Sequence, residues 1–168
     1  MKQLILIRHA KSCWDNTLTD IKRPLKNRGL KDAELVSNQL SRDLENLDIS
    51  PDLILISTAE RTKLTAKIFI KNLKWNDIEA QLNSDLYDFS GETAFNVITT
   101  CPNHVNTLVL FGHNPAFTLL ASQLGSDFIE NIPTSGVVIL TFNVDSWESI
   151  ENGETIKRVF PRDLKISK

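Results

Sequence analysis

Four side chains of this 168-residue chain could together bind and transfer a phosphoryl group. They are Arg8, His9, Arg61 and His113. A neutral imidazole is a good nucleophile toward phosphorus, and a reference pKa of about 6.5 leaves much of it unprotonated at pH 7. Arginine forks match the oxygens of a phosphoryl group with paired donors, and a protonated second histidine would add another. The four residue types therefore predict a cationic phosphoryl site.

Three short apolar runs lead into these residues. L-I-L-I precedes Arg8, the same letters precede Ser57 shortly before Arg61, and L-V-L-F precedes Gly112 and His113. Short apolar runs with β-branched residues and polar flanks indicate buried parallel strands. Ligands of open α/β sheets bind outside the carboxyl ends of the strands, so we expect the four side chains to converge there.

Strand and helix patterns alternate along the chain, which predicts an α/β fold. We expect a single domain over 1–168, a three-layer α/β/α sandwich with a mainly parallel central sheet. Ser90 is the expected cap of a third helix, and Asn114-Pro115 the expected start of a fourth, whose N–H groups would add donors to the site. Besides the first run, strands are predicted over 53–56, 108–111 and 137–142, with weaker ones at 78–82 and 159–160.

Composition and cysteine usage exclude several classes of protein. A net charge of −2 gives no global reason to expect nucleic acid or an anionic membrane as partner. Cys13 and Cys101 form no C-x-x-C pair, and the N-terminal apolar run is too short for a signal peptide, so a cytoplasmic location is expected. Neither cysteine has an arginine six positions later, and no P-loop motif occurs. The three histidines lack metal-ligand spacing, so we expect neither a metal nor another cofactor.

Four segments carry a resemblance to a known family: L-I-L-I-R-H-A-K-S, R-P-L-K-N-R-G, S-T-A-E-R-T-K-L-T-A and G-H-N-P. They resemble, in the same order, motifs of the histidine phosphatase superfamily (phosphoglycerate mutase-like), and in particular its short-chain SixA-type phosphohistidine phosphatases. The resemblance implies that His9 is the phosphorylated nucleophile, that Arg8 and Arg61 bind phosphate, and that His113 is the second catalytic histidine. It also implies that Arg23 is a further basic residue near the pocket mouth.

The chain departs from the family in one respect. Many members that cleave phosphate esters carry a glutamate that protonates the leaving oxygen, and no clear equivalent occurs here. Asp88 and Glu92 are the nearest candidates, although either could be an ordinary loop or helix-start carboxylate. An imidazole can leave as a neutral ring, whereas an alkoxide leaves badly without a proton. A site without a strong acid therefore favours a phosphorus–nitrogen bond.

Three hypotheses follow from these residues. The first is a metal-independent phosphatase that hydrolyses phosphohistidine on a phosphotransfer protein through a covalent intermediate on His9. The second is a phosphomonoesterase for a small metabolite, with Asp88 or Glu92 as general acid. The third is a non-catalytic module that recognises phosphate. The sequence leaves the oligomeric state open.

Overall fold

A six-stranded sheet with the order β3-β2-β4-β1-β5-β6 forms the centre of the molecule. The computed structural model describes residues 1–166. The strands are β1 (Lys2–Arg8), β2 (Leu53–Ile56), β3 (Glu79–Leu82), β4 (Thr107–Gly112), β5 (Val137–Phe142) and β6 (Glu154–Val159). The helices are α1 (Asn27–Leu47), α2 (Glu60–Asn72), α3 (Glu92–Thr99), α4 (Ala116–Leu124) and α5 (Pro161–Ile166).

The sheet is parallel in its first four strands and antiparallel in its last two. β3, β2, β4 and β1 pair in parallel, whereas β5 runs antiparallel to β1 and β6 antiparallel to β5. This confirms the prediction of a mainly parallel sheet. The last strand is longer than the predicted 159–160, because its polar sequence E-T-I-K-R-V covers a largely exposed sheet edge where apolar residues are not needed.

Alternate residues of the strands face two separate cores. Leu4 and Leu6 pack with α3 and α4 on one side, and Ile5 and Ile7 pack with α1 and α2 on the other. This alternation is the period-two pattern of a strand buried on both faces. It confirms the three-layer α/β/α prediction. Within residues 1–166, no helix combines the length and the hydropathy needed to cross a bilayer.

Two predicted helix starts are displaced in the structure. α3 begins after Gly91 rather than Ser90, since the carboxylate of Asp88 accepts the backbone N–H of Ala94 at 3.0 Å and so supplies the cap. α4 begins after Pro115, one residue later than expected. The displacement is confined to the capping residues, and both helices bury an apolar face against the sheet.

Gly29 lets the start of α1 lie directly against the segment that follows β1. A Cβ at this position would lie 2.2 Å from the carbonyl oxygen of Lys11. The same oxygen accepts the N–H of Lys26 at 2.9 Å, so it cannot easily move away. The glycine of the R-P-L-K-N-R-G segment therefore allows the close approach that fixes the loop after His9.

The variant Gly29→Ala tests this contact. Because alanine has a higher helix propensity than glycine, propensity alone would make the variant more stable than the wild type by about 0.5–1 kcal/mol. The clash with a fixed backbone oxygen should instead destabilise the fold by about 2 kcal/mol, measured by urea denaturation. Lys31→Ala, an exposed position on the same helix, is the control and should change little. If the Gly29→Ala variant were as stable as the wild type, the proposed steric clash with the carbonyl oxygen of Lys11 would be wrong.

Candidate active site

The ends of β1 and β4 bring two histidines together. Arg8 ends β1 and pairs in register with Gly112, which ends β4, so the next residues are His9 and His113. Their imidazole centroids lie 5.3 Å apart. A Cβ on Gly112 would lie 2.5 Å from the ring of Phe117, so glycine is needed for α4 to pack beneath this turn. The predicted convergence at the carboxyl edge of the sheet is observed for both histidines.

The S-T-A-E-R-T-K-L-T-A segment connects β2 to α2 and attaches the helix to the histidine loop. Thr62 Oγ1 donates to the carbonyl oxygens of Ser57 and Ala59, which closes the turn. Thr65 Oγ1 donates to the carbonyl of Arg61 at 2.7 Å and accepts the N–H of Ala10 at 2.9 Å. The threonines of this segment thus place Arg61 beside His9.

The imidazole of His9 is held in one orientation by its neighbours. Its Nδ1 lies 2.8 Å from the carbonyl oxygen of Ala10, which can only accept a hydrogen bond. Nδ1 therefore carries the proton, and the lone pair is on Nε2. The backbone is also fixed, since His9 N donates to Gly112 and the N–H of Ser135 donates to His9 O. His9 presents an oriented, unprotonated Nε2.

Ser57 orients the second histidine, a role that the sequence analysis did not assign. Ser57 Oγ lies 2.7 Å from Nε2 of His113, and both residues are fully buried. The hydroxyl also accepts the N–H of Ala59, at the long distance of 3.5 Å. Nδ1 of His113 is buried without a partner among the described residues. The signal in the sequence was that Ser57 follows β2 as His9 follows β1.

The two arginines each hold one buried N–H group without a partner. Arg8 donates through Nη1 to the carbonyl of Ile132 at 2.8 Å. Arg61 donates through Nη1 to the carbonyl of Asp20 at 2.7 Å and through Nη2 to its carboxylate at 3.0 Å. In both, Nε has no partner among the described residues. Buried donors of this kind are costly unless an anion or water accepts from them.

Asp20 is a site residue that sequence reasoning missed. Its carboxylate binds Arg61, Arg23 (at 3.1 Å from Nε) and the hydroxyl of Tyr87. Although burial acts to raise it, these hydrogen bonds from Tyr87 and Arg61 hold the pKa of Asp20 at about 2. Asp20 lies in the irregular segment after β1, where no periodic pattern marked it. It is an ionised carboxylate that fixes two guanidinium groups.

Arg23 lies where the resemblance implied. It is buried, donates through Nη1 to Ser12 Oγ at 3.0 Å, and has Trp14 stacked 3.8 Å from its guanidinium carbon. It lines the same cleft of about 260 Å³ as Arg8, His9 and Arg61. A larger cavity of about 590 Å³ lies next to this cleft and shares Thr134 with it, but no histidine lines it.

Both imidazoles are neutral at physiological pH. Burial is the main cause that lowers the pKa of His9 to about 3, and the charges of Arg61 and Arg8 act in the same direction. Burial and the charge of Arg61 lower the pKa of His113 to about 3 as well. The expected protonated His113 is therefore replaced by a neutral ring. The charge of the site comes from its arginines.

The two carboxylates considered as general acids do not line the cleft. Asp88 accepts the N–H groups of Ser90, Gly91 and Ala94. Although burial acts to raise it, these hydrogen bonds lower the pKa of Asp88. Glu92 is exposed on the first turn of α3. Asp88 therefore caps α3 and Glu92 lies at the surface, so neither carboxylate is placed beside the phosphoryl site.

The start of α4 also supplies fewer donors than expected. The N–H of Phe117 donates to His113 O, that of Thr118 to Asn114 Oδ1, and that of Leu119 to Pro115 O. These groups are satisfied within the helix start, so the anion-binding donors of the site are side chains. Among residues 1–166, no cluster of three or more His, Cys, Asp or Glu side chains could hold a metal ion.

The depressed pKa values predict how stability depends on pH. Each imidazole charges below about pH 6.5 when unfolded but only near pH 3 when folded, so the unfolded chain binds more protons in between. Stability should therefore fall as the pH is lowered from 6.5 toward 4, measured by thermal melts in a phosphate-free buffer.

His9→Asn removes one of these groups and should flatten the pH dependence, while Arg42→Gln, on the exposed part of α1, should leave it as in the wild type. Millimolar inorganic phosphate should raise the melting temperature at pH 7 because it binds the folded state alone. Equal pH slopes for the wild type and His9→Asn would contradict a neutral, buried His9.

Comparisons with known proteins agree with this geometry. Residues 4–107 match the histidine phosphatase superfamily (branch 1). An uncharacterised protein of Mycobacterium tuberculosis is 32% identical in an alignment of 158 positions that covers 88% of this chain and 93% of that protein. An uncharacterised chloroplastic protein of Arabidopsis thaliana is 32% identical in an alignment of 157 positions that covers 88% of this chain and 69% of the relative.

Solved structures share the fold. A candidate phosphohistidine phosphatase, SixA of Agrobacterium tumefaciens, superposes with a TM-score of 0.77 at 26% identity, covering 94% of this chain and 97% of that one. The structure of the protein histidine phosphatase SixA complexed with tungstate superposes with a TM-score of 0.78 at 21% identity. The superposition covers 96% of this chain and 99% of that one. With the match over residues 4–107 and the paired histidines and arginines at the sheet edge, these results show that the chain is a phosphatase of the histidine phosphatase superfamily.

Proposed function

We propose that the chain hydrolyses phosphohistidine through a covalent intermediate on His9. Nε2 of His9 attacks the phosphorus, a new P–N bond forms, and the bond to the substrate imidazole breaks with its electron pair leaving on that ring. A water molecule then attacks phospho-His9. Its proton passes to the released phosphate, and the electron pair returns to Nε2. This divides one difficult displacement into two easier ones.

The arginines and His113 supply the charge stabilisation. Negative charge accumulates on the three equatorial oxygens of a transferring phosphoryl group. The unpartnered Nε–H groups of Arg8 and Arg61 and the unpartnered Nδ1 of His113 are buried nitrogens that can donate to these oxygens. Because they are already held in place, they cost little reorganisation in the transition state. Arg23 adds positive charge to the same cleft.

The chemistry of the cleft carries the substrate assignment. Among the described residues that line it, Asp20 is the only carboxylate, and it is ionised and bonded to two arginines. No acid is therefore poised to protonate an alkoxide. An imidazole needs no such acid, since it leaves as a neutral ring when its other nitrogen carries a proton. The resemblance to SixA structures supports the same substrate class.

We infer that the substrate is a phosphorylated protein. Trp14 is 77% exposed and Phe89 is 41% exposed, and both line the cleft that contains His9. A phosphorylated side chain presented on the surface of a partner protein could reach a cleft with such exposed walls. A phosphotransfer protein that carries a phosphohistidine fits this requirement.

A substrate panel tests the assignment. We expect faster release of phosphate from a phosphohistidine protein or peptide than from sugar phosphates, nucleotides or alkyl phosphates. A brief incubation followed by quenching should leave an acid-labile, base-stable phosphoryl label on the wild type and none on His9→Ala. Faster ester cleavage would overturn phosphohistidine as the substrate, and a labelled His9→Ala would overturn the nucleophile.

Ser57→Ala tests the hydrogen bond that orients His113. Loss of one hydrogen bond to a catalytic ring should lower kcat about tenfold, while KM changes little because the arginines remain. Ser84→Ala, at an exposed position, should behave as the wild type in the same assay. An unchanged kcat for Ser57→Ala would show that His113 needs no orienting hydroxyl.

A further inference from the structure

We propose that Phe89 is a shelf on which the leaving imidazole ring of the substrate packs, which makes it a specificity-determining residue. This inference rests on the proposed function, because it names the group that binds beside the phosphoryl site. The shelf would discriminate phosphohistidine from phosphorus–nitrogen compounds that lack an aromatic ring, such as phosphoramidate.

The direction of phosphoryl transfer places the leaving group at this residue. The attacking and leaving atoms lie roughly in line through phosphorus. His9 is 7% exposed, whereas Phe89 of the same cleft is 41% exposed, so we place the leaving group, which lies across phosphorus from Nε2, on the more open side of the cleft. Phe89 belongs to that side, and its ring centroid lies 5.0 Å from that of His113. An exposed aromatic face therefore borders the place that the leaving group must occupy.

The ring of Phe89 is supported on its inner side. It packs edge-to-face against Tyr87 with centroids 5.3 Å apart, and Tyr87 in turn packs against His113 at 5.4 Å. The hydroxyl of Tyr87 donates a hydrogen bond to the carboxylate of Asp20. The preceding residue, Asp88, is fixed by its bonds to the start of α3. A surface that is held in this way binds a ring without first having to be ordered.

The chemistry of the shelf suits an aromatic leaving group. Phe89 offers no proton and no hydrogen bond, so it gives an alkoxide nothing that would help it leave. An imidazole ring gains an offset-stacked or edge-to-face contact there. Trp14, the other exposed aromatic residue of the cleft, already has Arg23 against one face. The rings that pack against His113 among the described residues are those of His9, Tyr87 and Phe89. Of the two aromatic residues that line the cleft, Phe89 is thus the one whose ring packs against His113.

Two phosphorus–nitrogen substrates separate the shelf from the rest of the site. Phosphohistidine carries a ring and phosphoramidate does not, whereas both present the same phosphoryl group to His9. Phe89→Ala should lower kcat/KM for phosphohistidine about 3- to 10-fold, the range expected for loss of one aromatic contact, and should leave phosphoramidate within about 2-fold. Phe89→Leu, which keeps apolar volume without a ring, should fall in between.

Phe95→Ala is the matched control, since Phe95 is 40% exposed on nearby α3 and does not line the cleft of His9. It should match the wild type on both substrates. An equal loss on both substrates, or no loss on either, would overturn the shelf while leaving the phosphohistidine assignment intact. A wild-type protein that cleaves neither substrate but cleaves esters would overturn the proposed function and the shelf with it.

Discussion

The structure depends on keeping two imidazoles uncharged beside buried guanidinium groups. Burial, with the nearby charge of Arg61, lowers the pKa of Arg8, so like charges already oppose each other in this cleft. A protonated His9 or His113 would add to that opposition. The neutral state is therefore the stable one in the absence of an anion, and it is also the state in which Nε2 of His9 can attack phosphorus. The same electrostatic constraint favours binding of a phosphoryl dianion and keeps the nucleophile free.

The fold supplies this constraint through backbone contacts rather than through the reactive groups themselves. β1 and β4 pair in register, so the two histidines emerge side by side. Thr65 joins α2 to the loop after β1, which places Arg61 beside them. Asp20 then neutralises part of the charge and orders Arg61 and Arg23. A site built in this way is rigid before substrate arrives, as electrostatic catalysis requires.

The sequence predicted the sheet, its parallel strands and the meeting of four reactive side chains, because buried strands have strong apolar patterns. It did not identify Asp20 or the role of Ser57. Asp20 lies in a polar segment without periodicity, and a serine at a strand end has no distinctive pattern of its own. For Asp88 the sequence left two interpretations open, since a carboxylate near a helix start is equally suited to catalysis and to capping. The three-dimensional structure favours capping, because the N–H groups of Gly91 and Ala94 lie within hydrogen-bond distance of the Asp88 carboxylate.

The length of the last strand, β6, was underestimated for a related reason. A sheet edge needs only backbone pairing, and the polar residues of β6 gave no apolar signal. Phe89 and Trp14 were equally hard to assign, because an exposed aromatic residue is common on protein surfaces and gains meaning only from what it borders. Long-range contacts thus decided the details that local patterns could not.

Nitrogen NMR of the two imidazoles, recorded on phosphate-free protein between pH 5 and 8, tests the central claim most directly. The account predicts that both rings are neutral throughout this range, and that His9 has its proton on Nδ1 and an unprotonated Nε2. A titration of either ring near pH 6.5, or a proton found on Nε2 of His9, would contradict it.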